Sequence, residues 1–255
     1  AGPIVRAEEF LPQLEKRPVF DSVALWEGLT RIVFGIFKKL ALADNLALAA
    51  NPVFAEIHMH HGVGTGRLLL ATYAFAGQIY LDFSGYSDMA LGIARLFGYQ
   101  LPENFNWPYL ARNPADFWRR WHISLSNWLR DYVYFSLPGH RAESRMPTCV
   151  NLVITMALCG LWHGYRWTFL LWGIYHGVLL VIHHATKKVN SVLLMQFLTV
   201  AGWVLFRTER LSDLQTYAAS LVYGLGETSL QANEWVAVAI LVTVAAYHLL
   251  EPRIQ

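Results

Sequence analysis

The chain has 255 residues, of which 55% are hydrophobic and only 15% are charged. Soluble domains carry about 25% charged residues, so this composition argues against an ordinary cytosolic protein and favours a membrane protein. The net charge is only +2, so the composition implies no general affinity for nucleic acid. The two cysteines, Cys149 and Cys159, would lie about 15 Å apart on one helix, so they cannot form a disulfide there and are expected to be core residues.

Neither end of the chain carries a targeting pattern. Ala1 opens a mixed segment without the features of a signal peptide, and the last residues directly follow an apolar run. We therefore expect residues 1–255 to form a single membrane domain, the central part of a longer protein with further helices before and after it.

The first fifth of the chain alternates apolar and ionic residues. Residues 1–24 contain three prolines and are predicted to be a polar connection. Residues 25–50 are apolar but carry five ionic side chains, which favours an amphipathic or partly buried helix with its basic face at the membrane surface. Asn51 and Pro52 are expected to end this helix.

A histidine cluster follows, made of His58, His60 and His61. Its spacing, with no cysteine nearby and only Glu56 as an adjacent carboxylate, suits a metal site poorly. We expect a solvated loop and no metal.

The next apolar run, residues 68–81, is shorter than the about 20 residues that cross a membrane, so it must be extended by its flanks or be tilted and buried. Asp82 follows directly, and a second carboxylate, Asp88, lies beyond Gly85. The pair suits a cation site or a proton relay. Alternatively, Ser84 or Asp88 caps a helix over residues 89–97, and Gly85 permits a sharp turn before it. We favour this capping role for Asp88, while the role of Asp82 stays open.

Asn113 and Pro114 are predicted to start a helix, as N-cap and first helical residue. Residues 117–134 place aromatic and apolar side chains on one stripe at helical spacing, which predicts an amphipathic helix at the membrane interface. His122 and Trp121 fall on this stripe. A basic loop is predicted over residues 138–147.

The rest of the chain consists mainly of apolar segments. Glycines spaced four apart, in the pairs Gly160 and Gly164 and Gly173 and Gly177, would allow helices to approach closely. The apolar segments cover residues 150–163, 167–184, 191–206 and 235–250, with a weaker helix over residues 211–223.

His163 stands at the junction of two of these apolar segments. Ionisable side chains at membrane depth cost about 2.5–3.5 kcal/mol on insertion scales when charged, so they generally face a cavity and act there. A histidine has an ordinary pKa of about 6.5 and can accept a proton near neutral pH. His163 is therefore the first candidate for the chemistry.

Several motifs together resemble the membrane-bound O-acyltransferase family. They are residues 82–88 (DFSGYSD), 104–109 (NFNWPY), 117–132 (FWRRWHISLSNWLRDY), 160–164 (GLWHG) and 203–207 (WVLFR). Their order and spacing are similar to the bacterial alginate O-acetyltransferase branch, and a nearby relative is the D-alanyl transfer membrane protein of teichoic acid synthesis. The resemblance covers most of the chain.

The resemblance implies an all-α, polytopic helical bundle with interfacial or re-entrant helices in the bacterial inner membrane. It implies transfer of an acetyl group from acetyl-CoA or a carrier thioester to a hydroxyl of an exported polysaccharide or of a partner that carries the group onward. Periplasmic polysaccharide-acetylation proteins are the expected partners, and no bound cofactor is expected. The alternative within the family is D-alanyl or another acyl transfer to a cell-envelope polymer.

The family pattern assigns His163 as the catalytic histidine and His122 as a second one. We expect His163 to act as general base and His122 to orient the thioester or donate to its carbonyl oxygen. Four further residues are candidates for the substrate tunnel: Trp162, Asp82, Trp121 and Asn127. A transporter lined by ionisable residues, or a scaffold of a polysaccharide export complex, remains the non-enzyme alternative.

Overall fold

The computed structural model describes residues 2–15, 21–139, 145–224 and 231–250. This part of the chain is helical, and its β-structure is limited to one isolated antiparallel bridge between Phe105 and Trp121, so the all-α prediction is confirmed. Residues 140–144 of the predicted basic loop lie outside the described residues. The α-helices of the described ranges are α1 (Ala7–Leu14), α2 (Ser22–Phe37), α3 (Asp44–His58), α4 (Thr65–Leu96), α5 (Pro114–Trp118), α6 (Ile123–Trp128), α7 (Arg145–His163), α8 (Trp167–Thr186), α9 (Val192–Arg207), α10 (Leu211–Tyr223) and α11 (Ala232–Leu250).

Helices α2 and α4 pack closely through two pairs of glycines. A Cβ atom on Gly85 would lie 2.7 Å from the carbonyl oxygen of Gly35, and one on Gly92 would lie 2.6 Å from that of Gly28. Gly85 therefore permits a close helix contact, and α4 runs unbroken through it. The predicted turn at Gly85, with a new helix capped by Asp88, is wrong, whereas the apolar run 68–81 is extended by its flanks, which is one of the two expected arrangements.

Ion pairs hold the carboxylates of α4. Arg31 Nε donates to Asp88 Oδ1 at 3.1 Å, and Lys38 Nζ donates to Asp88 Oδ2 at 2.6 Å. Lys39, in the π-helical turn that joins α2 to α3, pairs with Asp82 at 2.8 Å. The cations of residues 25–50 therefore face α4, and the exposed face of α2 is apolar. The helix is partly buried, as predicted, but its basic face does not lie outward.

Pro52 lies inside α3 and does not end the helix, which corrects the prediction. A proline has no N–H to bond the carbonyl four residues earlier, here that of Leu48. The side chain of Asn233 on α11 donates to that carbonyl oxygen at 2.9 Å. A contact between distant parts of the chain thus satisfies the group that the proline leaves unpaired.

The prediction of one continuous helix over residues 117–134 is wrong, because α5 ends at Trp118. His122 adopts a left-handed backbone conformation with φ of 42°, and α6 starts at the next residue. The predicted start of α5 is confirmed, since the Asn113 side chain accepts from the N–H of Asp116 at 2.8 Å. Trp118 and Trp121, expected at the membrane interface, are buried in the protein instead.

Helices α7 and α8 pack closely through glycines. A Cβ atom on Gly160 would lie 2.2 Å from the Phe169 carbonyl oxygen, and one on Gly173 would lie 2.1 Å from that of Met156. The predicted close approach is confirmed, as are the helices over the four apolar segments and over residues 211–223.

One described helix, α8, is long and apolar enough to cross a membrane. Three shorter apolar stretches accompany it, Thr148–His163, Val192–Arg207 and Ala232–Ala246.

Candidate active site

His163 is the last residue of α7, where the chain turns into α8. Its half-buried ring lies against Trp172 of α8, with centroids 5.3 Å apart, and against Phe206 of α9, with centroids 5.0 Å apart. Both contacts are edge-to-face, the geometry that aromatic rings favour. Three helices therefore position this imidazole.

Trp162 brings the two predicted histidines together. Its ring centroid lies 5.0 Å from that of His163 and 6.3 Å from that of His122. The indole is 54% exposed, while His122 is only 2% exposed. The structure thus places three of the predicted site residues in one aromatic cluster, with one imidazole buried and the other accessible.

A short stretch of paired backbone fixes His122. The N–H of Asn106 donates to the Arg120 carbonyl oxygen at 2.9 Å, and the N–H of Ile123 donates to the Asn104 carbonyl oxygen at 3.0 Å. This pairing uses backbone groups that a continuous helix would need, so α5 ends before it and α6 starts after it. It also sets Asn104 beside His122.

Asn104 is a site residue that sequence reasoning missed. Its side chain is fully buried, and its Oδ1 contacts His122 Nδ1 at 3.1 Å and Ser124 Oγ at 2.8 Å. Its Nδ2 donates to Ser87 Oγ at 3.3 Å. The residue belongs to the NFNWPY motif, but the sequence does not show which donors and acceptors surround its side chain.

A cavity of about 510 Å³ reaches Asn104 from the α2 and α4 side. Aromatic side chains, among them Tyr80 and Phe105, line it together with Ser84 and Ser87. Asn104 therefore lies between this cavity and the His122 imidazole, with which it forms a hydrogen bond.

The remaining predicted tunnel residues make other contacts. Trp121 packs on Trp203 at 4.8 Å and belongs to the aromatic core behind the site. Asp82 pairs with Lys39 instead of either histidine. Asn127 is half-buried and forms no hydrogen bond with His122 or His163 in the described part of the chain. Their roles stay predictions.

A third imidazole, that of His176, is also buried next to the site. It is 0% exposed and packs on Trp172 at 5.0 Å, the ring that also contacts His163. Neither ring nitrogen of His176 has a hydrogen-bond partner among the described residues. His176 carries the same sequence signal as His163, an ionisable side chain inside an apolar segment, but it was not among the predicted site residues.

The histidine cluster, which starts at the last residue of α3 and not in a loop as expected, contacts α10. His58 Nδ1 lies 3.1 Å from Asp213 Oδ2, and His60 Nδ1 lies 3.1 Å from Thr216 Oγ1. Among the described residues no group of three His, Cys, Asp or Glu side chains is arranged to hold a metal ion. The two histidines therefore fasten α3 and its following loop to α10.

Residues 1–212 match the sequence pattern of MBOAT, the membrane-bound O-acyltransferase family. The chain belongs to this family. The aromatic cluster around His163 and His122 therefore lies in a chain of the membrane-bound O-acyltransferase family.

Curated relatives carry related names. The chain is 43% identical over 234 residues to a probable alginate O-acetylase of Azotobacter vinelandii, an alignment covering 88% of this chain and 46% of the relative. It is 37% identical to a peptidoglycan O-acetyltransferase of Helicobacter pylori, over 90% of this chain and 45% of the relative. It is 30% identical to a teichoic acid D-alanyltransferase of Bacillus subtilis, over 75% of this chain and 50% of the relative. The chain thus spans about half the length of the curated relatives that it matches.

Proposed function

We propose that the protein is a membrane O-acyltransferase that moves an acetyl group from a thioester donor towards hydroxyls of an exported polysaccharide such as alginate. The observation that carries the proposal is the contact of both His163 and His122 with Trp162 in a chain of this family. We choose an acetyl group and a polysaccharide acceptor because the alginate and peptidoglycan relatives are named for them. D-alanyl transfer to a cell-envelope polymer is the alternative that the Bacillus subtilis relative favours.

The transfer breaks a thioester C–S bond and forms an ester C–O bond. One proton must leave the acceptor hydroxyl, and one must reach the departing sulfur. A histidine suits both steps, because it accepts and returns a proton near neutral pH. We assign His163 as the general base that takes the hydroxyl proton and delivers it to the thiolate. His122 orients the thioester, and Trp162 limits access of water to the reacting carbonyl.

The donor is acetyl-CoA or a carrier thioester, and the chemistry needs neither a metal nor an organic cofactor. The acceptor is a hydroxyl of the polysaccharide or of a partner that carries the acetyl group onward, and periplasmic polysaccharide-acetylation proteins are the expected partners. We place the protein in the bacterial inner membrane with several spans, a proposal supported by α8 and by the three shorter apolar stretches.

Replacing the proposed base tests the function. In cells that depend on this protein for acetylation, His163→Ala should abolish acetyl groups on the exported polysaccharide, measured by mass spectrometry. His61→Ala is the matched control, since His61 is an exposed histidine and should be dispensable. Both variants must reach the membrane in wild-type amounts.

The same pair of variants separates the enzyme from its rivals. Retained acetylation in His163→Ala would rule out the assigned base. Loss of the assembly with export proteins in that variant would favour a scaffold. Uptake of labelled donor into the cells or vesicles without transfer to a polymer would favour a transporter.

A further inference from the structure

We infer that Asn104 is a positioning residue that fixes His122 as the Nδ1–H tautomer and leaves Nε2 as the nitrogen that accepts a hydrogen bond or a proton during transfer. The role in transfer rests on the proposed function, whereas the tautomer depends on hydrogen-bond chemistry alone.

The side-chain amide of Asn104 has one orientation that satisfies its neighbours. The backbone N–H of Ser124 can only donate, and it faces an Asn104 side-chain atom at 3.3 Å. That atom must be the carbonyl oxygen, because the amide nitrogen would set one donor against another in a fully buried place. The amide nitrogen then faces Ser87 Oγ, which is able to accept.

The orientation of the amide decides the tautomer of His122. The same oxygen, Asn104 Oδ1, lies 3.1 Å from His122 Nδ1. A carbonyl oxygen carries no hydrogen, so this hydrogen bond exists only when Nδ1 carries one. A neutral imidazole has a single N–H, and Nε2 of His122 is therefore left with its lone pair.

This tautomer limits what His122 does in the reaction. Neutral His122 accepts at Nε2, and it donates to a thioester carbonyl only after it has gained a proton. The left-handed backbone at His122 and the pairing of residues 104–106 with residues 120–123 hold the two side chains together. The ring therefore cannot turn away without breaking a buried bond.

Nitrogen-15 NMR of histidine-labelled protein in lipid bilayers tests the tautomer. At about pH 8 the imidazoles are largely neutral, and the His122 signals are identified by their loss in His122→Asn. We expect a protonated Nδ1 and an unprotonated Nε2 in the wild type, and a mixture of tautomers or Nε2–H in Asn104→Leu. Wild-type His122 protonated at Nε2 alone, or an unchanged pattern in Asn104→Leu, would overturn the inference. The readout needs no acetyl transfer, so it stands or fails separately from the proposed function.

Transfer kinetics in membranes separate positioning from folding. We expect Asn104→Leu to lower kcat at least about tenfold with little change in KM, because the misplaced proton acts on the chemical step. Asn104→Asp, whose carboxylate oxygens still accept from both neighbours, should restore most of kcat. Ser124→Ala is the control for the loop, since it removes a hydroxyl that donates to the same oxygen and accepts from the Ile4 N–H, and it leaves the His122 contact. An equal loss of kcat in Ser124→Ala, or an Asn104→Asp protein as inactive as the leucine variant, would mean that Asn104 only holds the loop.

Discussion

Trp162 contacts both predicted histidines although about half of its side chain is exposed. We expect Trp162→Ala to lower the transfer rate about ten- to a hundred-fold, because a small displacement of a reacting group from its productive position has a cost of this order. Trp162→Phe keeps an aromatic ring at the position and should lose less. The measurement is the acetyl content of the polymer per unit of membrane-inserted protein.

Trp167 provides the control for this prediction. It is 69% exposed at the start of α8, close in sequence to Trp162. Trp167→Ala should leave the rate near that of the wild type. Equal effects of the two alanine variants would show that loss of any indole at this turn matters, and that Trp162 has no specific role.

The Asp131 carboxylate ties the N-terminal segment to the residues after α6. Hydrogen bonds from Arg130 and Arg6 lower the pKa of Asp131 to about 2, against an ordinary value of 3.8. A lowered pKa stabilises the folded form above the ordinary pKa, and this contribution disappears as the pH falls through the folded value. We expect protection of residues 2–15 from proteolysis to fall between about pH 4 and pH 2.

The variant Asp131→Asn isolates this contribution. It should weaken the protection of residues 2–15 from proteolysis at neutral pH. It should also reduce the further loss of protection when the pH is lowered, because the asparagine has no carboxylate to protonate. Glu8→Gln is the control, because Glu8 is a mostly exposed partner of Arg6 at 3.7 Å and exposed pairs contribute little. The same acid profile in Asp131→Asn and wild type would contradict the assignment.

Candidate site residues stand out in the sequence where their chemistry is unusual for their surroundings. His163 and His122 stand out as imidazoles among apolar and aromatic residues, and the structure brings them to one indole. Asn104 could not be found in this way. Its importance depends on which atoms face its amide, and those atoms come from Ser124, His122 and Ser87, which only the fold assembles.

The glycines between α7 and α8 position His163 at the level of whole helices. Gly173→Ala would place a Cβ atom 2.1 Å from the Met156 carbonyl oxygen, so the two helices must separate. Overpacking of this kind costs about 1–3 kcal/mol of folding free energy. We expect a lower midpoint of thermal unfolding and reduced acetyl transfer, since α7 carries His163 at its end.

Gly66→Ala gives a matched control within α4. A Cβ atom there meets nothing within 4 Å, so both stability and transfer should stay near wild type. A Gly173→Ala protein with unchanged thermal stability would show that the helix pair adapts without strain.

Helices were predicted well where apolar character alone defines them, as in α7, α8, α9 and α11. They were predicted poorly where contacts with a distant part of the chain determine whether the helix continues or ends. α4 continues past Gly85 because α2 packs against that glycine, and α3 continues past Pro52 because Asn233 bonds the carbonyl of Leu48. The break before His122 likewise requires the pairing with residues 104–106.

For the molecule as a whole, composition predicted a membrane protein, but it could not show which helices cross. The 32 residues of α4 extend for about 48 Å, longer than a bilayer core, yet the helix carries Asp82 and Asp88. Cations from α2 and the following turn neutralise both. Hydropathy of a single segment therefore understates how deeply such a helix can lie, because its charges are compensated only in the folded chain.

We expect α8 to carry the chain across the membrane once, with its ends on opposite sides. Its 20 residues extend for about 30 Å, the thickness of the hydrocarbon core. Tyr165, 98% exposed, precedes α8, and the exposed Lys188 follows it. In a protein with Cys149 and Cys159 replaced by serine, an impermeant maleimide on intact spheroplasts should label only one of Tyr165→Cys and Lys188→Cys.

Permeabilised spheroplasts are the control, in which both cysteines should react. Labelling of both positions before permeabilisation would show that α8 lies along the membrane and does not cross it. The side on which Tyr165→Cys reacts is also the side of His163, since His163 ends α7 and Tyr165 follows two residues later, before α8 starts. The same experiment therefore shows from which face of the membrane a hydroxyl acceptor must approach the proposed base.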